Sequence, residues 1–251
     1  MKIINISISL FLFFAVMMVY SCSPEPLTDF SKLDPAASSQ IDSLLQTFAD
    51  GHHAGIAVGI VNREEIVYLK SIGVGDIEKK TPITPLSTFC GASISKPFTA
   101  TAIHQLVDED KIHLDSTISS YLPEFRMADE RYESITIRHI LNHTAGFPYI
   151  EDYEYESPQF DDGAVERYIQ SVANISLASE PGEEYHYTDM GYNILAQLIS
   201  KITGQPFETV IRQRILKPLQ MDHSSFYTRR SNQKSWFNPT LLKKVRMVLS
   251  W

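Results

Sequence analysis

The spacing of apolar residues changes several times along the chain, and each spacing predicts a particular element. Residues 41–48 carry apolar side chains on one face of a helix, and Gly51 is suited to end it. The apolar positions of this helix are Ile41, Leu44, Leu45 and Phe48. Two β-branched runs, 55–61 and 66–72, flank polar residues and predict a hairpin of two strands.

Glycines and prolines then interrupt the pattern, until helical spacing returns in two later segments. The first helix is predicted to open near Ser93, and an apolar residue follows at every fourth position: Ile94, Phe98, Ala102 and Leu106. The second should begin after Asp189, a residue suited to cap it, and end at Gly204 before Pro206. Its apolar positions are Met190, Ile194, Leu195, Leu198 and Ile199. The pattern therefore predicts a chain that contains both strands and helices.

The N-terminal residues have the pattern of an export signal. Lys2 precedes an apolar run, 3–20, that leads to Cys22. This resembles a bacterial lipoprotein signal, which implies removal of residues 1–21 and acylation of Cys22. Tyr20 replaces the usual small residue, and a plain secretory signal or an N-terminal membrane helix are alternatives. All three export the chain, and we expect a lipid anchor at Cys22 that holds it to the bacterial cell envelope.

Residues 22–37 contain three prolines and predict a tether between this anchor and the folded domain. Acylation of Cys22 would leave Cys90 without a second cysteine for a disulfide bond. Two cysteines are too few for a disulfide scaffold or a four-thiolate metal site. The formal net charge of −8, from 22 Lys and Arg against 30 Asp and Glu, leaves no basic surplus for phosphates, so we expect no nucleic-acid partner.

Candidate chemistry begins at Ser93 and Lys96, which share a helical face three residues apart. A serine hydroxyl is a weak nucleophile until a base takes its proton, and a lysine serves only if its surroundings hold it partly neutral. A serine that caps a helix and a solvated lysine would give the same pattern. The spacing alone therefore leaves catalysis open.

A second candidate group lies at residues 187–189. Tyr187 is predicted on a loop just before a helix, and a tyrosine close to a lysine can act as a general base. Asp189 is suited either to cap that helix or to join the site. The two motifs need each other for this chemistry.

Together these residues resemble the serine β-lactamase and penicillin-binding-protein-like family, in its class C β-lactamase, DD-peptidase and esterase branch. Residues 89–96 resemble the nucleophile motif, and residues 187–189 resemble the family's Tyr-x-Asn motif. Further landmarks follow in order at residues 106–111, 121–125 and 135–146. The resemblance covers about residues 40 to 228. It implies an α/β, transpeptidase-like fold, an antiparallel sheet with flanking helices plus a mainly helical region, over residues 38–228.

The resemblance also implies roles for the candidate residues. Ser93 would be acylated, Lys96 and Tyr187 would move its proton, and Asp189 would stand where the family usually has Asn. An ionised Asp only accepts hydrogen bonds and adds negative charge beside Lys96. No metal or organic cofactor is implied. The substrate would be a small molecule or a peptidoglycan peptide, and the oligomeric state is left open.

The family's third motif, Lys or His, then Thr or Ser, then Gly, is missing after Asp189. The resemblance ends near residue 228, so we expect a partial domain whose last sheet strands are absent. Residues 229–251 carry six basic residues and no acidic ones. We interpret them as a basic tail from a truncated gene, with a membrane-binding helix as the alternative.

Two other features have plain structural interpretations. His139 and His143 lie four residues apart, but Ile140 stands where a zinc protease needs Glu, so we expect structural histidines and no metal. Residues 149–156 and 161–162 form an acidic, aromatic segment, expected to be a solvated loop; if it overhangs Ser93, its charge would disfavour anionic substrates.

The sequence thus predicts a serine hydrolase that acts through an acyl-enzyme on an ester, amide or lactam. The alternative is a non-catalytic exported lipoprotein, either a pseudoenzyme or a ligand-binding remnant.

Overall fold

A computed structural model of the chain describes residues 28–50, 55–63, 65–150, 161 and 163–226. These residues form two compact units divided between Ser87 and Thr88. Cys22, the basic tail and most of the acidic segment lie outside the described residues. None of the helices in the described ranges has the length and hydropathy needed to cross a bilayer.

The first unit is a small antiparallel sheet with one long helix. Its elements are β1 (Phe30–Ser31), α1 (Pro35–Asp50), β2 (Gly55–Asn62), β3 (Glu65–Asp76) and β4 (Thr81–Pro82). The strand order is β1-β3-β2, and β4 pairs with the far end of β3. The predicted helix and hairpin are therefore confirmed.

The hairpin differs from the prediction in its length, because β3 continues through Gly73 and Gly75 to Asp76. Gly73 has a φ of +89° and pairs with Gly55 of β2. A Cβ atom on Gly55 would lie 2.1 Å from Cδ1 of Ile83, a buried residue. The glycines thus make room for Ile83 at the strand pair instead of ending the strand.

The predicted tether differs as well, since part of residues 30–37 is ordered. Phe30 and Ser31 pair with β3, and α1 begins at Pro35. The carboxylate of Asp34 accepts a hydrogen bond of 2.9 Å from the backbone N–H of Ala36, as a helix cap does. Proline is favoured at a first helical position, where its missing N–H is not needed, so Pro35 starts a helix instead of marking a linker.

The second unit is mainly helical. Its helices are α2 (Ser95–Asp108), α3 (Ile118–Tyr121), α4 (Ile137–Leu141), α5 (Ala164–Ser171), α6 (Met190–Thr203) and α7 (Phe207–Ile211). Short 3-10 turns cover Ala92–Ile94, Glu130–Ser134 and Val172–Asn174, and a π turn covers Arg212–Leu216. A single apolar core, in which Ile103, Leu106, Phe125 and Leu198 are buried, joins these elements.

The helix that follows Asp189 forms as predicted. It ends at Gly204, whose φ of +66° is the left-handed conformation that commonly closes a helix. The predicted face of α2 is confirmed at Ala102 and Leu106, which are fully buried. Ile94 departs from that face and is 57% exposed, because it belongs to the 3-10 turn that precedes α2.

Candidate active site

The turn before α2 presents Ser93 to solvent. Ala92 has a φ of +41°, in the left-handed region that a residue with a Cβ rarely adopts. The backbone N–H of Ile94 donates to the carbonyl of Gly91 at 2.8 Å, which closes the 3-10 turn around Ser93. Such strained backbone is often found at functional sites.

Lys96 lies one turn further on, and its side chain is only 9% exposed. Its Nζ atom donates a hydrogen bond of 3.1 Å to Oγ of Ser93. The same ammonium forms an ion pair with Oδ1 of Asp189. The helical spacing thus brings Ser93 and Lys96 together as the sequence predicts, and the fold adds the carboxylate.

Tyr187 reaches the same ammonium from the loop before α6. The Nζ atom of Lys96 lies 4.6 Å from the centre of the Tyr187 ring. Contacts of this kind between an ammonium and an aromatic ring are attractive. The tyrosine side chain is 43% exposed, so it is open to a bound substrate.

Asp189 stands at the N-cap position of α6, but its side chain makes no capping hydrogen bond. The Oγ1 atom of Thr188 instead accepts a bond of 3.2 Å from the backbone N–H of Met190. Of the two positions that the sequence leaves open for Asp189, cap or site, its carboxylate takes the one beside Lys96.

The surroundings of Lys96 favour its charged form. Burial lowers the pKa of the Lys96 ammonium, but hydrogen bonds and charges from Asp189 and Tyr187 outweigh it, and the net pKa lies above the ordinary value. Lys96 is therefore an ammonium at neutral pH. In this state it donates hydrogen bonds to its neighbours and cannot accept a proton.

Sequence reasoning missed two aromatic neighbours of this group. The ring of His143 lies against the ring of Tyr187, with centroids 4.5 Å apart. Tyr192 lies on the first turn of α6, and the centre of its ring is 5.7 Å from Nζ of Lys96. The only signal for His143 was its place in the 135–146 landmark, because nothing in local spacing joins it to Tyr187.

His139 and His143, the two histidines four residues apart, each accept a backbone hydrogen bond at Nδ1. Nδ1 of His139 accepts a hydrogen bond of 3.3 Å from the backbone N–H of Thr136 in a capping box at the start of α4. Nδ1 of His143 faces the backbone N–H of Thr188. Among the described residues there is no group of three or more His, Cys, Asp or Glu side chains that would hold a metal ion.

Comparison with known proteins identifies relatives of this chain. Protein flp of Staphylococcus aureus strain COL is 31% identical over 206 residues, which are 81% of this chain and 41% of flp. Penicillin-binding protein 4* of Bacillus subtilis strain 168 is 30% identical over 193 residues, or 76% of this chain and 42% of that protein. The chain thus spans about two fifths of the length of these curated relatives.

A solved structure shows the same fold. EstCE1, described as a hydrolase with promiscuous acyltransferase activity, is 26% identical, with a TM-score of 0.66 over 76% of this chain and 53% of EstCE1. The beta-lactamase family model matches residues 41–236, which include Ser93, Lys96, Tyr187 and Asp189. The chain therefore belongs to the beta-lactamase family and has its α/β fold of antiparallel strands and helices.

Proposed function

We propose that the chain is a serine hydrolase that works through an acyl-enzyme at Ser93. The observation that carries the proposal is the convergence of Ser93, Tyr187 and Asp189 on the single ammonium of Lys96. These residues come from two segments that are far apart in the sequence. A cap and a solvated lysine, the alternative that the sequence allowed, would not bring them together.

The reaction would proceed in two acyl transfers. Oγ of Ser93 forms a bond to the carbonyl carbon of the substrate, and the carbonyl oxygen takes the negative charge. The serine proton passes to the Lys96–Tyr187 pair, which reacts in the form that has already lost one proton to solvent. Collapse of this intermediate breaks the bond to the leaving group, which takes up the proton. Water then repeats the sequence on the acyl-enzyme, and the acid and free Ser93 are released.

The charge on Lys96 decides how the proton can move. As an ammonium it stabilises a developing anion on Ser93 or on Tyr187. It becomes a base only after it has given up a proton, and Tyr187, whose ring centre lies 4.6 Å from Nζ, is close enough to exchange one with it. We therefore assign Lys96 and Tyr187 a shared role and Asp189 the role of holding the charge on Lys96.

The substrate is an ester, an amide or a lactam, as a small molecule or as part of a peptidoglycan peptide. The relatives support acyl transfer in general, because they include a penicillin-binding protein and a hydrolase with acyltransferase activity. The export signal that residues 1–22 resemble supports a location at the bacterial cell envelope, with a lipid anchor at Cys22. Such an anchor would place Ser93 near substrates of the cell wall.

A second candidate function is binding without catalysis, as an exported lipoprotein. The ion pair with Asp189 favours it, because a carboxylate in that position keeps Lys96 charged in the resting state. A site that keeps its lysine charged would bind an acyl compound and leave it intact.

Labelling of the purified chain separates the two candidates. The chain is incubated with a fluorescent penicillin and with a fluorophosphonate, alongside Ser93→Ala and the control Ser95→Ala. Ser95 belongs to the same turn, but its Oγ donates to the carbonyl of Ala92 at 2.8 Å. We expect stoichiometric labelling that is lost in Ser93→Ala and kept in Ser95→Ala. Absence of labelling in a chain that circular dichroism shows to be folded would favour the binding protein.

A further inference from the structure

His143 has an unusual backbone conformation directly beside the Tyr187 loop. It follows α4 with a φ of +59°, in the left-handed region that a residue with a Cβ rarely adopts. The carbonyl of His143 accepts a hydrogen bond of 2.8 Å from the N–H of His186, and the carbonyl of Thr144 accepts one of 2.7 Å from the N–H of Gly182. These two bonds attach the loop 182–188 to the segment after α4.

The imidazole ring of His143 contacts both tyrosines that face Lys96. Its centroid lies 4.5 Å from that of Tyr187, at an interplanar angle of 35°, and 5.2 Å from that of Tyr192, at 30°. Those tyrosine rings lie 4.6 and 5.7 Å from Nζ of Lys96. The imidazole thus contacts Tyr187 and also Tyr192, which is buried, with only 6% of its surface exposed. It therefore connects the Tyr187 ring to the packed interior of the unit.

The polar atoms of His143 fit the same arrangement. Nδ1 accepts a long hydrogen bond of 3.5 Å from the backbone N–H of Thr188, the residue after Tyr187. Burial and the charge of Lys96 lower the pKa of His143, although Asp189 opposes this shift. The ring is therefore neutral at pH 7 and does not place a second cation beside Lys96.

We infer that His143 is a positioning residue, which holds the phenol of Tyr187 at the ammonium of Lys96 through its ring and its carbonyl. This inference rests on the proposed function, because it gives His143 a role only through the proton transfer assigned to Tyr187. It also explains why a strained conformation is kept at this position: the turn directs the ring toward the tyrosine.

The test distinguishes the effect of the His143 ring from the effect of its backbone conformation. Asparagine tolerates a positive φ well and offers an acceptor, so His143→Asn removes the ring with little backbone cost. His143→Phe restores a ring without the acceptor. His104→Phe, on an exposed position of α2, is the matched control. If His143→Asn does not fold, His143→Leu, which also lacks the ring, replaces it.

Two measurements are made on each folded variant of the whole chain. The first is the pH titration of the Tyr187 ¹³Cζ resonance, assigned with Tyr187→Phe. The second is the second-order rate constant of acylation by the fluorophosphonate. We expect His143→Asn to move the titration midpoint and to slow acylation about 10-fold to 100-fold, as misplacement of a catalytic group does. His143→Phe should stay close to wild type in both measurements.

The outcomes distinguish this inference from the proposed function. Wild type that is acylated, with a folded His143→Asn that matches His104→Phe in both measurements, would overturn the inference and leave the function standing. Wild type that is not acylated, with a titration that still moves in His143→Asn and is restored in His143→Phe, would keep the positioning role and overturn the function. A His143→Phe variant as impaired as His143→Asn would also overturn the role given to the ring.

Discussion

Asp189 follows Lys96 by 93 residues, and its carboxylate forms an ion pair with the Lys96 ammonium at the N-terminal end of α6. The lysine side chain is 9% exposed and the aspartate side chain 33%. A largely buried cation needs such a partner, because leaving it alone in a poorly solvated place is costly. The pair therefore matters to stability as well as to the proposed chemistry.

Replacing Asp189 with Asn should destabilise the chain by about 1–3 kcal/mol at pH 7. Removing one partner of a fully buried pair costs about 3–5 kcal/mol, and the partial exposure of Asp189 reduces that figure. Urea unfolding of wild type and Asp189→Asn measures the difference. The substitution should also lower the pKa of Lys96, so acylation of Ser93 should rise at a lower pH than in wild type.

The pH dependence of this pair follows from the direction of the Lys96 shift. Its pKa in the folded chain is raised above 10.5, so the stability it contributes is fully present below the unfolded value and is lost as pH rises through the folded one. The difference between wild type and Asp189→Asn should be largest near pH 7, and it should shrink as pH rises through the Lys96 pKa of the variant toward the raised pKa of wild type. A difference that grows in alkali would contradict the assignment.

Two glycines with similar backbone angles should respond differently to alanine. Gly146 has a φ of +78°, and a Cβ there would lie 2.3 Å from the carbonyl oxygen of Ser179. Gly204 has a φ of +66°, and a Cβ there would have no other atom within 4 Å. Gly204→Ala should cost about 1 kcal/mol from the left-handed backbone alone. Gly146→Ala should cost more than about 3 kcal/mol, because a backbone atom must also move. Equal losses in chemical unfolding would show that the clash relaxes freely.

The core of the helical unit gives a second matched pair. Leu106 on α2 is fully buried, whereas Leu219 is 63% exposed. Leu106→Ala should lower the free energy of unfolding by about 2–5 kcal/mol, through lost apolar burial and the cavity left behind. Leu219→Ala should change it by less than about 0.5 kcal/mol. A small effect at Leu106 would argue against the packing of α2 described above.

Arg131 should determine part of the change in the free energy of unfolding as the pH falls below about 4. Its guanidinium hydrogen-bonds to Asp129, to Glu180 and to the carbonyl of Leu177, and so joins the Glu130–Ser134 turn to the segment that leads to Tyr187. The side-chain hydrogen bond from Arg131 lowers the pKa of Asp129 to about 2. A lowered pKa contributes stability above the unfolded value of 3.8 that is lost as pH falls through the folded value.

Arg131→Ala should therefore be less stable than wild type at pH 7, and the difference should narrow between pH 4 and pH 2. Thermal unfolding across this range measures it. Lys201→Ala, which removes an exposed ion pair with Glu124, is the control for loss of a surface cation. A difference that stays constant down to pH 2 would show that Arg131 acts through packing and not through charge.

Local patterns in the sequence predict much of this arrangement. Helical spacing places Ser93 beside Lys96, and the apolar period after Asp189 with Gly204 at its end predicts α6 closely. Both rest on contacts between residues three or four apart, which sequence spacing encodes directly.

The parts that were missed depend on contacts across the chain. Pro35 suggests a linker as long as the pairing of Phe30 with Leu69 is not known. Gly73 likewise suggests the end of a strand as long as its pairing with Gly55 of β2 is not known. The contact of His143 with Tyr187 joins residues 44 positions apart, which no period reports. Whether Asp189 caps its helix or meets Lys96 was likewise decided by tertiary packing.

The continuity of Asp189 with α6 ties the polar site to the interior of the unit. Eight residues of this helix are buried, and Gly191 lets it approach so closely that a Cβ there would lie 2.7 Å from Ile140. Close-packed interiors transmit small displacements instead of absorbing them. A core substitution beneath α6 therefore affects more than the free energy of unfolding. A change of side-chain volume there would displace the carboxylate of Asp189 and so change the pKa of Lys96.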